Sequence, residues 1–317
     1  MRLLENPSFS FIPNRKIGYM ISGTLILLSI LSFATRGLEQ GIDFLGGTEI
    51  VIENVGGLDA LEVRASMAEV LDGEPEVKTF GTTGLLIRTV SDREVSDLQR
   101  DVLAQFQASF PDVSPEVVQT NVVGPRFAAD LQRGAIYSVL GALFVIFVYI
   151  MLRFEWRYGL GALAAITHDV IIVLGIFSLF QDVLPFSLQV DQAIIAAFLT
   201  IVGYSLNDTV VVFDRTREYL NLFKTDPYEE VVNRSINSTL SRTVVTSMTT
   251  LIVTSILLFF GGDVLRGFSF ALVLGVLIGT YSSVYVASPI VVDIRLWLEG
   301  SEKEETNKYK RKERTRI

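Results

Sequence analysis

The sequence predicts an α-helical polytopic membrane protein, with six transmembrane helices and a small α+β ferredoxin-like domain outside the membrane. Half of the 317 residues are hydrophobic and only 20% are charged. The charges are nearly absent from several stretches that are long enough to cross a lipid core, which takes about 20 residues. The long segment between the first two stretches is instead charged and has alternating strand and helix patterns. This composition excludes a soluble globular enzyme.

Six segments pass the length test for a transmembrane helix, and we call them spans one to six. They cover residues 17–33, 134–152, 158–180, 193–213, 243–260 and 268–292. Span one has an alternative interpretation as a cleavable secretory signal, because small residues follow its apolar run at Ser32 and Ala34. That run is longer than the usual core of a signal peptide, so we favour an uncleaved anchor.

The distribution of basic residues predicts the orientation. Lysines and arginines are concentrated before span one, between spans two and three, between spans four and five, and after span six. No basic residue lies between spans three and four, and only Arg266 lies between spans five and six. The positive-inside rule therefore predicts cytoplasmic termini. We divide the chain into a cytoplasmic tail with span one (1–35), an external domain (36–133), a five-span bundle (134–295) and a basic cytoplasmic tail (296–317).

The external domain is predicted to have the order β-α-β-β-α-β, a split βαβ or ferredoxin-like unit. Its elements are strand 48–53, helix 59–71, strands 76–80 and 85–90, helix 95–110 and strand 113–118. The pattern of Ser91 and Glu94 is that of a capping box, which predicts the start of the second helix. The domain has no histidine or cysteine and offers no catalytic set. We interpret it as a small docking domain.

Cofactors and metals are not expected. The chain has no cysteine and one histidine, which excludes a zinc ribbon, a thiol nucleophile and histidine-based metal sites. No catalytic residues are predicted, and the chain is not expected to be an enzyme. The net charge of −8 argues against a nucleic-acid partner. For the basic C-terminal tail, the simplest interpretation is an anchor to anionic lipid.

Ionisable residues inside the spans are the strongest functional signal, because each costs about 2.5–3.5 kcal/mol on insertion. Asp208 lies within span four and Arg242 lies at the start of span five. These two spans are antiparallel and share their connected ends, so the two side chains can meet. Burial favours the neutral carboxyl and a guanidinium favours the carboxylate. We predict that Asp208 and Arg242 form an intramembrane ion relay; the alternative is a static pair that fixes helix packing.

Further polar residues in the spans are weaker candidates for the relay or for a water path leading to it. His168 and Asp169 are adjacent in span three, and they could simply be hydrogen-bonded. Thr246 and Thr250 lie four and eight residues after Arg242, so they share its helix face. Asn207 directly precedes Asp208. For the threonines, the alternative is a hydrogen-bonding role between helices.

At these motifs the chain resembles the SecF family, the smaller subunit of the SecD–SecF protein-export complex. The resemblance covers residues 5 to 295. It is carried by GIDFLGGT at 41–48, VGP at 123–125, THD at 167–169, VGYSLNDT at 202–209 and FGG at 260–262. The motif in span four is highly specific, whereas the glycine-rich motif after span one is shared with SecD.

The resemblance implies half of a resistance-nodulation-division-type bundle in the bacterial cytoplasmic membrane, with SecD as the other half. It also implies a role in ion-gradient-driven protein translocation with the SecYEG channel and an emerging secretory polypeptide. The ion-relay aspartate of the family falls on Asp208 and its arginine partner on Arg242. A further relay aspartate belongs to SecD. Protons and sodium ions both suit such a site, and the sequence leaves this choice open.

Two other functions are considered. A small-molecule efflux subunit of the same superfamily would have larger external loops from two repeats, whereas this chain has one external domain. A passive assembly or scaffold subunit for membrane insertion would tolerate joint replacement of Asp208 and Arg242 by apolar residues.

Overall fold

The computed structural model describes residues 7–72, 75–91, 93–181, 183–184 and 186–299. In chain order its helices are α1 (Arg15–Thr35), α2 (Ile42–Leu45), α3 (Ala60–Met67), α4 (Val95–Ser109), α5 (Pro125–Arg153), α6 (Trp156–Phe180), α7 (Gln192–Leu222), α8 (Tyr228–Phe260) and α9 (Asp263–Ser282). A π-helical turn at Ser283–Ala287 follows α9, and helix continues to Glu299. Within the described residues, α1, α5, α6, α7, α8 and α9 with its continuation are long and apolar enough to cross a membrane. The predicted number of spans is confirmed.

The centre of the bundle is formed by α6, α7 and α9, whose apolar stretches are about half buried, whereas those of α1, α5 and α8 are less than a quarter buried. Two glycines allow α9 to approach α7 closely. A Cβ atom on Gly275 would lie 2.2 Å from Ile201, and one on Gly279 would lie 2.9 Å from Ser205. Small residues at a helix interface permit such contact between backbones. The packing fixes the rotation of α7 and buries one of its faces.

Several helices extend beyond the predicted spans, because hydropathy detects only the apolar part of a helix. α8 begins at Tyr228 rather than at residue 243, and Glu229 and Glu230 lie in its first turn, where carboxylates favour the helix dipole. α5 begins at Pro125 rather than at residue 134, directly after Gly124. At the other end of the chain, helix continues to Glu299, and the rest of the predicted basic tail lies outside the described residues.

The α+β domain has four strands, β1 (Gly47–Glu53), β2 (Glu76–Phe80), β3 (Gly84–Thr89) and β4 (Glu116–Val123). They form an antiparallel sheet of order β2-β3-β1-β4. This is the ferredoxin-like arrangement, and it confirms the predicted fold class. One face of the sheet packs on α3 and α4 through buried residues such as Ile50, Met67 and Phe106.

Two boundaries in the domain differ from the prediction. β4 covers Glu116–Val123 rather than 113–118, so it leads into α5 with only Gly124 between them. The predicted capping box is not formed, because α4 begins at Val95 with Glu94 as its N-cap and without a side-chain cap. The Ser91 hydroxyl instead accepts a hydrogen bond from the Arg93 N–H at 3.2 Å. Asp92, inside the predicted box, lies outside the described residues.

Candidate functional site

Asp208 lies on the buried face of α7. Its side chain is 3% exposed, and Ser205 and Thr209 on the same face are buried with it. Among the described residues, no group hydrogen-bonds its Oδ2 atom. Buried polar atoms in folded proteins are nearly always hydrogen-bonded, so this oxygen is an exception that requires an explanation.

Arg242 lies at the same depth in the bundle as Asp208. Asp208 is 14 residues before the end of α7 and Arg242 is 14 residues after the start of α8, which places both about 21 Å from the connecting loop. The charge of Arg242 acts on Asp208 across the space between the helices.

The expected contact between these two side chains is not formed. Across the part of the chain that the structure describes, no ion pair joins them, and Arg242 is exposed. The reason is the rotation of α8, which directs Arg242 outward together with Val245 and Met248. The sequence predicts that the two spans are antiparallel and joined at neighbouring ends, but it does not specify this rotation.

The side chain that α8 presents to Asp208 is Ser247. It is 4% exposed. Its hydroxyl lies 2.7 Å from Thr280 Oγ1 of α9 and accepts a longer hydrogen bond of 3.4 Å from Tyr204 of α7. Asp208 therefore lies where three helices meet, beside a hydroxyl that is already engaged with α9.

The other relay candidates are not directed at this site. Thr246 Oγ1 donates to the Arg242 carbonyl at 3.1 Å, and Thr250 Oγ1 donates to the Thr246 carbonyl at 3.0 Å. These bonds lie within α8, as is common for threonine in transmembrane helices. Asn207 is exposed on the opposite side of α7 from the buried face. The roles assigned to these residues stay predictions.

Asp169 on α6 lies in a saturated polar cluster. It is 1% exposed. Its Oδ2 accepts hydrogen bonds from Ser205 of α7 at 2.6 Å and from Ser282 of α9 at 2.8 Å. Its Oδ1 lies 2.9 Å from His168 Nδ1. One carboxylate thus links the three central helices of the bundle.

His168 extends this cluster to α1. Its Nε2 lies 3.0 Å from the Ser22 hydroxyl, which lies 3.1 Å from the hydroxyl of Tyr281. Tyr281 donates to the Gly18 carbonyl at 2.8 Å. The sequence interpretation named His168 and Asp169 but missed Ser22 and Tyr281. Polar residues within apolar spans were the available signal, because such residues seek partners on neighbouring helices.

The fold and the site together define a polytopic membrane protein with an inserted ferredoxin-like domain and ionisable side chains inside its bundle. Comparisons identify the family. The model of the protein export membrane protein SecD/SecF, C-terminal, matches residues 102–297, and that of the SecD/SecF GG motif matches residues 31–53.

Relatives agree with these matches. The protein translocase subunit SecF of Rhodothermus marinus is 61% identical over 93% of this chain and 96% of its own length. That of Cereibacter sphaeroides is 40% identical over 95% of this chain and 94% of its own. The chain belongs to the SecF family of protein translocase subunits.

A solved structure shows the same fold. The crystal structure of SecDF, a translocon-associated membrane protein from Thermus thermophilus, is 37% identical and superposes with a TM-score of 0.80. The match covers 92% of this chain but only 39% of that longer chain. This chain therefore corresponds to one part of SecDF.

Proposed function

We propose that this chain is the subunit of an ion-gradient-driven machine that assists late steps of protein translocation across the bacterial cytoplasmic membrane, with SecD and the SecYEG channel. Asp208 and Arg242 are its intramembrane relay. The observation that carries the proposal is the buried, unpartnered Oδ2 atom of Asp208 at the depth of Arg242.

The chemistry follows from the cost of a buried charge. An ionised carboxylate without full hydrogen bonding in an apolar environment is strongly disfavoured. Asp208 therefore either takes up a cation or meets the guanidinium of Arg242. Binding of a proton or sodium ion leaves Arg242 free to face outward, as in the present arrangement, and loss of that ion draws Arg242 inward.

The ion gradient supplies the energy for this exchange. A membrane potential contributes about 2.3 kcal/mol per elementary charge per 100 mV. That energy produces movement only if the two states of the bundle differ in their interaction with the bound ion. The Asp208 site meets this condition, because Arg242 and Ser247 are partners that α8 can present alternately.

In this proposal, SecD provides the other half of the membrane complex. The SecDF relative is more than twice as long as this chain's match to it. The apolar outer face of α8, which includes Met248, Ile252 and Ile256, is exposed in this chain. We place SecD against that face, so that Arg242 lies at the seam. The α+β domain lies on the outer side and binds and releases the emerging polypeptide.

The test is export from proteoliposomes that contain the SecYEG channel, SecD and this chain, with and without an ion gradient. Asp208→Asn keeps the shape of the side chain but removes the exchangeable charge, so the gradient-dependent part of export should be lost. The matched control is Asp214→Asn on the same helix, where the carboxylate is 47% exposed and pairs with Arg153. The control should behave as wild type. Unchanged gradient-dependent export in Asp208→Asn would refute the relay.

Separate proton and sodium gradients in the same vesicles identify the coupling ion. Export should respond to one gradient, and Asp208→Asn should abolish that response.

A further inference from the structure

Besides its chain connections to α1 and α5, the α+β domain contacts the bundle at the start of α7. Residues 39–41, which follow α1, lie beside residues 189–191, which precede α7. The Val190 N–H donates to the Glu39 carbonyl at 2.8 Å, and the Gly41 N–H donates to the Val190 carbonyl at 3.0 Å. Gln40 and Val190 form a parallel β-bridge. We call residues 39–43 and 189–192, with the side chains that bind them, the joint.

The joint includes the N-terminus of α7. Asp191 caps the helix, since its Oδ1 accepts from the Ile194 N–H at 2.8 Å. Asp43, which belongs to the other side of the joint, accepts from the Gln192 N–H at 3.1 Å. The first turn of a helix has free N–H groups and a positive dipole end, and both favour carboxylates. The helix that carries Asp208 is thus capped partly from the domain side.

Side chains connect the joint to the sheet. The Gln189 amide donates to Glu39 Oε1 at 2.8 Å and also to Glu76 of β2. Lys78 of β2 lies 3.1 Å from Glu39 Oε2 and 2.5 Å from Glu76 Oε1. Charge-assisted hydrogen bonds of this kind are stronger than neutral ones. Burial, and secondly the neighbouring Glu76, raise the pKa of Glu39.

From Glu76 a row of polar side chains crosses the sheet. Arg88 of β3 is paired in register with both Glu76 and Glu49 of β1, and Asn121 of β4 is paired with Glu49. The side chains are bonded along the same row, with Arg88 Nε 2.6 Å from Glu49 Oε2 and Asn121 Nδ2 3.0 Å from Glu49 Oε1. The joint therefore contacts an end of a connected row that reaches every strand.

At Gly41 the two segments of the joint are in close contact. A Cβ atom on Gly41 would lie 3.1 Å from the Cβ of Asp191. Such close approach of two backbones, combined with paired main-chain hydrogen bonds, resists sliding and rotation.

We propose that the joint is a rigid mechanical connection that transmits displacement of α7, the helix of Asp208, to the sheet of the α+β domain. The proposal rests on the proposed function for the source of the displacement. The proposed function concerns the ion relay, whereas the joint concerns which contact carries the movement. We predict that this contact stays closed.

Rigidity is tested by distance measurement. The chain has no cysteine, so cysteines introduced by Thr82→Cys and Thr200→Cys accept spin labels at two positions only. Both positions are exposed, one in the β2–β3 turn and one on α7. We expect one narrow distance distribution that does not change when the gradient is applied to vesicles with SecD. A second distance population under the gradient would overturn the rigid joint.

Covalent closure gives the functional test. Gln40→Cys with Val190→Cys places two thiols at bridged positions, whose separation of about 5 Å suits a disulfide. Export with the bond formed should equal export after reduction. If oxidation stops export and a reductant restores it, the joint must open during the cycle and the proposal fails.

Weakening the joint should uncouple the α+β domain from the bundle. For Gln189→Ala with Lys78→Ala, we expect the spin-label distance to broaden and gradient-dependent export to fall about tenfold, within the usual range for coupling between sites. Ion flux through the SecD-containing vesicles should persist. Gln107→Ala with Arg100→Ala, which removes the same kinds of side chain from exposed positions of α4 away from the joint, is the control and should keep export. Loss of ion flux in Asp208→Asn tests the relay separately, and unaltered export in the double variant would overturn the joint.

Discussion

Asp169 and Asp208 are both buried aspartates on neighbouring helices of one bundle, yet their surroundings are opposite. Both oxygens of Asp169 have partners, from His168, Ser205 and Ser282. One oxygen of Asp208 has none among the described residues. A buried polar group without a partner costs about 1–3 kcal/mol. Burial alone therefore does not distinguish the two carboxylates; the incomplete hydrogen-bond shell of Asp208 is the reason why we propose this residue, and not Asp169, as the one that changes partner.

The two sites are mechanically related. Ser205, a ligand of Asp169, is three residues before Asp208, about 4.5 Å along α7. The saturated cluster holds α7 against α6 and α9 at this level. Because the cluster ties α7 to α6 and α9, a change at Asp208 that displaces α7 should displace these three helices together relative to α8.

The largest expected effect comes from removing both residues of the proposed relay. In Asp208→Leu with Arg242→Leu, all gradient-dependent export should be lost, while the protein still assembles with SecD, because neither side chain forms an ion pair within the described residues. Export assays and co-purification measure the two outcomes. Full export by this double variant would indicate a passive scaffold, and it would contradict the proposed difference in function between Asp208 and Asp169.

A smaller but different effect is expected at Asp169. Asp169→Asn replaces an acceptor by an amide whose NH2 group faces hydroxyl donors, and it should destabilise the bundle by about 1–3 kcal/mol. Thermal unfolding in detergent measures this change. The surviving folded protein should keep its dependence on the gradient. A folded variant that has lost only the gradient dependence would assign Asp169 to the relay.

The smallest effect is expected from single hydroxyls. Ser282→Ala removes one hydrogen bond to Asp169 and should cost about 1 kcal/mol of stability without changing coupling. Ser247→Ala is its counterpart at Asp208, and it should change the ion dependence of export more than the unfolding temperature. Equal effects of the two alanines on both measurements would contradict the comparison.

The sequence predicted the elements better than the contacts between them. Six spans and the β-α-β-β-α-β order follow from local hydrophobic patterns, and both are confirmed. The equal depth of Asp208 and Arg242 is seen only from the ends of α7 and α8, because α8 begins 15 residues before the predicted span. The outward direction of Arg242 is not specified by a local pattern either, because it depends on how α8 is rotated against α7 and α9.

Non-local contacts explain the remaining differences. Ser22 and His168 are separated by 146 residues, and Glu39 and Gln189 by 150. No pattern within a short window relates such positions. The sequence shows that Ser22 is a polar residue within an apolar span. Its partner His168 depends on the packing of α1 on α6.

The direct passage from β4 to α5 has a consequence for how the domain can move. Gly124 alone separates the two elements, so this attachment has no slack. Together with the connection to α1 and the joint at α7, the sheet is attached to three different helices. Three attachment points define the orientation of the sheet, so displacement of one of them tilts the sheet. A small axial displacement of one of these attachments relative to the other two would therefore tilt the whole α+β domain. The parts of the domain farthest from the tilt axis would move most.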